Sequence, residues 1–264
     1  MASGNERAQR GIQSIEVGGE LLRALVHSGR PMPLKELARD AGMTAAKAHP
    51  YMVSFGRLGL IEQDEASGHY ALGPLALQLG LIGLQQANPI QIATPLIDAL
   101  AQQLGLTVAL AVWGDRGATI VRTAESAAPV LVSLRHGTVF SLDGTASGRL
   151  FGAYLRSADV RRMFDSERTR GDPSWKDFEA RLDEVRANGI SRSEGEIVPG
   201  VSAMAAPVFD HTGRIVLAVT AIGPAGITNT AWDGVLARAL KACGDTASRR
   251  LGHRAASGAV RPAS

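Results

Sequence analysis

The chain reads as an α+β protein, an N-terminal winged helix-turn-helix followed by a larger domain of mainly antiparallel sheet with flanking helices. Three observations predict it. Two short amphipathic helices are split by Gly42 and run at once into a hairpin pattern. From Leu106 onward, β-patterned segments are joined by tight turns, such as Trp113-Gly114-Asp115-Arg116-Gly117 and Asp210-His211-Thr212-Gly213. Between the two regions lies an apolar stretch, residues 75–86. At 264 residues, 45% hydrophobic and 20% charged, the chain suits one large or two modest globular domains.

Ile12, Ile15, Leu21, Leu22, Leu25 and Val26 recur at near-helical spacing and predict a first helix to His27, stopped by Ser28-Gly29-Arg30-Pro31. Pro33 suits the opening turn of a second helix, Leu34 to Ala41, whose apolar face holds Leu34, Leu37, Ala38 and Ala41. Gly42 ends it, and Thr44 caps a third helix running to about Leu58. Pro50 inside that helix removes a backbone hydrogen bond, so the helix is expected either to kink or to begin later than Thr44. Leu60 to Gln63 and His69 to Leu72 read as two strands around a polar turn ending in Gly68. A three-helix unit followed by such a hairpin is a winged helix, whose third helix fits a DNA major groove while the hairpin reaches backbone or minor groove.

Leu75 to Gln86 reads as a short helix, apolar nearly all round, which needs cover and is expected to pack against a second subunit. Beyond Asn88-Pro89 come a helix from Ile90 to Leu104 and strands at Leu106–Val112, Thr119–Thr123 and Val130–Leu134. Helices follow at Thr145–Leu155, Ala158–Phe164 and Trp175–Asn188, then strands Ala203–Phe209 and Ile215–Ala221 and a closing helix from Ala231 to Leu251. The expected divisions are residues 1–73 for the winged helix, 74–88 for the dimerising linker, 89–252 for the second domain and 253–264 for a disordered tail.

The formal net charge of +3 does not by itself mark a nucleic-acid binder, because the eight basic residues up to Leu75 are balanced by eight acids. Much of the excess sits after Asp245, in Arg249, Arg250, Arg254 and Arg261. The third helix is nonetheless locally basic. Lys47, His49 and Arg57 stand there without an acid, and Thr44, Tyr51 and Ser54 add hydroxyls, a set suited to phosphates and base edges. In the hairpin, Ser67 and His69 are the candidate contacts.

The single cysteine, Cys243, excludes an internal disulfide and any cysteine-built zinc site, and its place on an apolar helix side reads as core. No P-loop, dinucleotide fingerprint or H-E-x-x-H occurs, and Gly144-Thr145-Ala146-Ser147-Gly148 is not the G-x-S-x-G elbow. Neither an enzyme nor a bound cofactor or metal is expected. No stretch approaches the ~18 apolar residues that span a bilayer, and the N-terminus lacks the apolar run of a signal peptide, so no membrane association and a cytoplasmic location are expected. Asp143 reads as the cap of a helix whose first turn carries Thr145 and Ser147, either an anion site or merely a well-capped packing helix. Ser193, Glu194 and Glu196 read as loop residues before Pro199-Gly200-Val201 that either line a pocket or face solvent, solvent being the expectation for the glutamates.

Taken in order, Leu34-Lys35-Glu36-Leu37-Ala38, Gly42, Leu58-Gly59-Leu60-Ile61-Glu62-Gln63-Asp64 and Tyr70-Ala71-Leu72-Gly73 resemble the isocitrate-lyase-regulator (IclR) family of bacterial transcription factors. Further matches are Gly144-Thr145-Ala146-Ser147-Gly148-Arg149, Asn188-Gly189-Ile190, Gly200-Val201-Ser202-Ala203-Met204-Ala205-Ala206-Pro207-Val208 and Ile222-Gly223-Pro224, so the resemblance spans about residues 10 to 252. It implies a C-terminal GAF-like domain that binds a small organic or aromatic acid, and homodimers or homotetramers that repress or activate catabolic operons on double-stranded operator DNA. It places Val132 and Phe140 on the wall of an effector site, and Ala146 and Ser147 at a helix start. Ser193 and Val201 fall in a loop, and Ala203 and Thr220 on strands. The family usually carries lysine at the position of Arg149, histidine at that of Asp143 and arginine near Pro50, so neither effector nor operator sequence carries over. The alternatives are a small-molecule-binding enzyme and a protein-docking module whose winged helix does not bind DNA.

Overall fold

The computed structural model describes residues 11–126, 132, 134–169 and 173–254. The chain divides into two compact units, the first ending at Gln86 and the second beginning at Ala87.

In the first unit, α1 (Gln13–Ser28), α2 (Leu34–Asp40) and α3 (Ala45–Leu58) enclose a core of Leu21, Leu37, Met52 and Ile61. Pro33 stands one position before α2 as its N-cap rather than in its opening turn. Ala38, buried between the helices, keeps α2 and α3 close. Thr44 caps α3 as expected, its Oγ1 accepting the Lys47 amide at 3.3 Å. The helix starts at Ala45 and runs through Pro50, which corrects the alternative that it begins later. The wing pairs β1 (Ile61–Gln63) with β2 (Tyr70–Leu72), Ile61 opposite Leu72. Met32 and Tyr70 exchange backbone hydrogen bonds of 3.0 and 2.8 Å and tie the wing to the chain before α2. The helix α4 (Pro74–Gln86) closes the unit with no buried residue, leaving Leu77, Leu79, Leu81, Ile82 and Leu84 exposed.

The second unit is a six-stranded, wholly antiparallel sheet in the order β5-β4-β3-β8-β7-β6. Its strands are β3 (Thr107–Gly114), β4 (Gly117–Ala124), β5 (Val139–Phe140), β6 (Ser191–Glu194), β7 (Val201–Phe209) and β8 (Ile215–Pro224). Because side chains alternate across a pleated sheet, two cores form. Leu217 and Val219 of β8 and Met204 and Val208 of β7 meet α5 (Pro89–Leu104) and α9 (Val235–Arg250). On the other face, Ala203, Ala205 and Ala218 meet α6 (Ala146–Tyr154), α7 (Ser157–Glu167) and α8 (Trp175–Asn188). Phe164 stacks on Phe178 at 4.9 Å between centroids and joins α7 to α8.

Several boundaries differ from the sequence reading. β5 was not foreseen, and Ser191–Glu194 is an edge strand rather than loop. The last helix begins at Val235, four residues after Ala231. The strand expected at 130–134 falls largely outside the described residues; Val132 and Leu134, which are described, are not in a strand. Of the tail expected at 253–264, His253 is described and packs on Phe209 at 5.2 Å between ring centroids, while residues 255–264 lie outside the described residues. Among the described residues, no helix is long and apolar enough to cross a membrane.

Candidate functional site

On α3 the buried residues Ala48 and Met52 define the inner face. At 3.6 residues per turn, Lys47, Ser54 and Arg57 lie together on the opposite, solvent side, and all three are exposed. His49, also exposed, sits roughly 160° around the helix from Lys47, on the flank. Tyr51 is turned inward. Its ring packs over Gly18 of α1, where even a methyl group would lie 2.9 Å from Cδ1. Ser54 donates to the Pro50 carbonyl at 2.9 Å, within the helix. In the wing, Ser67 Oγ donates to Asp64 at 2.7 Å and accepts the His69 amide at 3.3 Å, so its hydroxyl is occupied by the turn. The Ser67 hydroxyl and amide hold the Asp64 carboxyl below its ordinary range. Lys47 and Arg57 therefore carry the open cationic face.

In the second unit a cavity of about 100 Å³ lies between the N-terminal end of α6 and the sheet. Register explains its construction. Ser193 stands opposite Ala203, and Ala203 opposite Ile222, so the three form one row across β6, β7 and β8 on the α6 side. Thr220, two residues before Ile222, faces the same way, and its hydroxyl lies 2.8 Å from Ser147 Oγ. Alanine at 203 and 146 leaves the space unfilled. Val132 and Phe140 line one wall, and Val201 lies beside them. All eight positions named from the family resemblance thus line a single cavity.

Thr145, not Asp143, caps α6, accepting the Gly148 amide on Oγ1 at 3.0 Å. Asp143 instead receives Arg181 at 3.0 Å. Gly148 is required by close approach, because a Cβ there would lie 2.5 Å from the Leu142 carbonyl oxygen and nearer still to that of Ser141. Glu167 fixes the same segment by accepting the Leu142 amide at 2.8 Å; burial raises its pKa, which the Leu142 amide opposes.

Arg149, 7% exposed, donates to the Asp143 carbonyl, to the Arg192 carbonyl at 2.8 Å and to Glu196 Oε1 at 2.7 Å. Glu196 is thus an ion-pair partner while remaining exposed to solvent; Glu194 is exposed too and accepts from Thr230 Oγ1. Burial pushes the Glu196 carboxyl up, but the Arg149 hydrogen bond and charge outweigh it and hold the group below the ordinary glutamate range. Among the described residues, no group of three histidine, cysteine, aspartate or glutamate side chains could hold a metal.

Two family models cover both units. Residues 14–65 match the IclR helix-turn-helix domain, and residues 83–249 match the model described as bacterial transcriptional regulator IclR C-terminal. The chain belongs to the IclR family of bacterial transcriptional regulators. It is 30% identical over 253 residues to the glycerol operon regulatory protein of Streptomyces coelicolor, covering 92% of this chain and 98% of the relative. The transcriptional repressor IclR of Escherichia coli is 26% identical over 220 residues, 81% of this chain and 80% of the relative. The crystal structure of Pseudomonas aeruginosa HmgR superposes with a TM-score of 0.87 at 34% identity, covering 93% of this chain and all of that one. The Agrobacterium tumefaciens repressor BlcR, at 20% identity and TM-score 0.79 over 94% of this chain and all of the other, shares the fold.

As a member of the IclR family, the chain is a transcriptional regulator with a DNA-binding helix-turn-helix, and its relatives are regulators rather than enzymes. Sequence reasoning missed Gly144, Ile197 and Val198 around the cavity of this IclR-family chain. One local signal was present, the Ile197-Val198 pair set between Glu196 and Pro199-Gly200 in a polar stretch. Two adjacent apolar residues there have a use only if something apolar lies beneath them.

Proposed function

We propose that the protein is a ligand-responsive regulator of a catabolic operon, binding operator DNA through α3 as a dimer and a small organic or aromatic acid in the cavity beneath α6. The single observation that carries the reading is the cavity. An apolar wall, a buried hydroxyl pair and the first turn of α6 border one space, an arrangement suited to an acid's carboxylate at one end and its body at the other. The names of the glycerol operon regulatory proteins support the catabolic assignment.

On α3, Lys47 and Arg57 are the phosphate contacts in this reading, with Thr44, His49 and Ser54 beside them and Ser67 and His69 on the wing. Tyr51 supports the helix from behind. Dimers form through α4, which buries no residue within its own unit and leaves Leu77, Leu79, Leu81 and Leu84 exposed. The acid shifts operator affinity only to the extent that it binds DNA-competent and DNA-incompetent dimers unequally. The test is thermal unfolding of the full chain against a panel of organic and aromatic acids, followed by DNA binding with and without any hit. An acid that raises the melting temperature in a saturable way and alters DNA affinity supports the reading. A panel in which no acid does so at millimolar concentration counts against it.

A further inference from the structure

The segment from Gly195 to Gly200 crosses the cavity as its outer cover. Both end residues hold positive φ, +83° and +80°, so the segment leaves β6 and returns to β7 through two left-handed corners. Its Ile197 and Val198 side chains line the cavity although they are 59% and 53% exposed. Burial therefore contributes little to holding the cover down. Three backbone hydrogen bonds help: the Gly195 amide to the Val201 carbonyl, the Val201 amide to the Val198 carbonyl and the Ala225 amide to the Gly200 carbonyl. None of them reaches across to α6.

The one side-chain tie to α6 among the described residues is Glu196. Its Oε1 accepts from Arg149, while its Oε2 accepts the amide of Glu194. Arg149 projects from the second turn of α6 and is anchored independently by the carbonyls of Asp143 and Arg192. Losing Glu196 leaves those two anchors in place, so the tie is separable from the fold. Glu196 also lines a second cavity, of about 300 Å³, on the Arg149 side. It consequently stands between the inner cavity and this second one.

We infer that Glu196 is the positioning residue of the inner cavity, seating Ile197 and Val198 over it through Arg149, and that a ligand enters when this pair parts. The inference rests on the effector reading above for its ligand, but not for the tie itself.

Hydrogen exchange by mass spectrometry on the full-length wild type and on Glu196→Gln tests it. The isosteric variant loses the charge and keeps the volume. Exchange of the amides in residues 195–201 accelerates about tenfold, the factor that loss of a charge-assisted hydrogen bond represents, while β8 and α9 are unchanged. Raising sodium chloride from 50 to 500 mM speeds cover exchange in the wild type and not in the variant, a response that a purely packing role would not give. Cover exchange within twofold of wild type in both Glu196→Gln and Glu196→Ala overturns the proposal. Sodium benzoate is the ligand probe. Protection of residues 142–148 by benzoate in the wild type, with unchanged cover exchange in the variants, refutes the tie alone. Accelerated cover exchange without benzoate protection leaves the tie standing and removes this acid from the effector reading.

Discussion

Ser147 Oγ and Thr220 Oγ1 lie 2.8 Å apart, each residue 1% exposed, and join the first turn of α6 to the central strand β8 at the floor of the cavity. A buried hydroxyl that loses its partner keeps its desolvation cost, so Ser147→Ala is expected to destabilise the protein by about 1–2 kcal/mol in urea unfolding. Adding Thr220→Val, which removes the stranded partner at constant shape, should recover part of that loss. A double-mutant cycle with strictly additive terms would show that the two hydroxyls are not coupled.

Lys47 and Arg57 share the open face of α3. Lys47→Ala should weaken binding to the intergenic DNA beside the protein's own gene and reduce the salt slope of log K by about 1. Filter binding between 50 and 200 mM salt measures both, and an unchanged slope removes Lys47 from the contacts.

The helix α4 presents leucines on all sides. Replacing Leu77, Leu81 and Leu84 together by glutamate should convert dimers to monomers in sedimentation velocity, with loss of DNA affinity. Dimers that survive the triple change would place the subunit contact elsewhere.

Burial pushes the Cys243 thiol up to about 11 from an ordinary value of 9.0. The native protein should therefore react with iodoacetamide at pH 8 roughly a hundredfold more slowly than the unfolded chain, from thiolate fraction alone. The neutral thiol's contribution to stability is full below the unfolded chain's pKa and is lost as the pH rises toward the folded value. A Cys243→Ala variant should show a weaker decline in stability between pH 9 and 11 than the wild type.

Pro50 lies within α3, where it can donate no hydrogen bond. Pro50→Ala restores that donor and should raise the stability of the first unit by about 1–3 kcal/mol in thermal unfolding. A lower melting temperature would mean that the ring packs usefully in the native helix.

Local chemistry made much of this legible in the sequence. Gly29 and Gly42 marked helix ends, and both hold positive φ in the structure. The near-continuous apolar runs of β7 and β8 fit strands buried on both faces, and the resemblance placed eight residues that share a cavity. What escaped notice has no local signature. Ser191-Arg192-Ser193-Glu194 has poor strand propensity and becomes a strand through its pairing with β7. Asp143 is a good cap by type, yet the chain turns one residue pair later and Thr145 takes the role. The Arg149–Glu196 pair joins positions 47 residues apart, a separation at which no periodicity operates.

Gly148 limits how the cavity beneath α6 can be reshaped. Two main-chain oxygens occupy the place where any other residue would put its first carbon, so that position is closed to change. Any reshaping of the space must come instead from residues such as Val132, Phe140 and Val201, whose side chains line it.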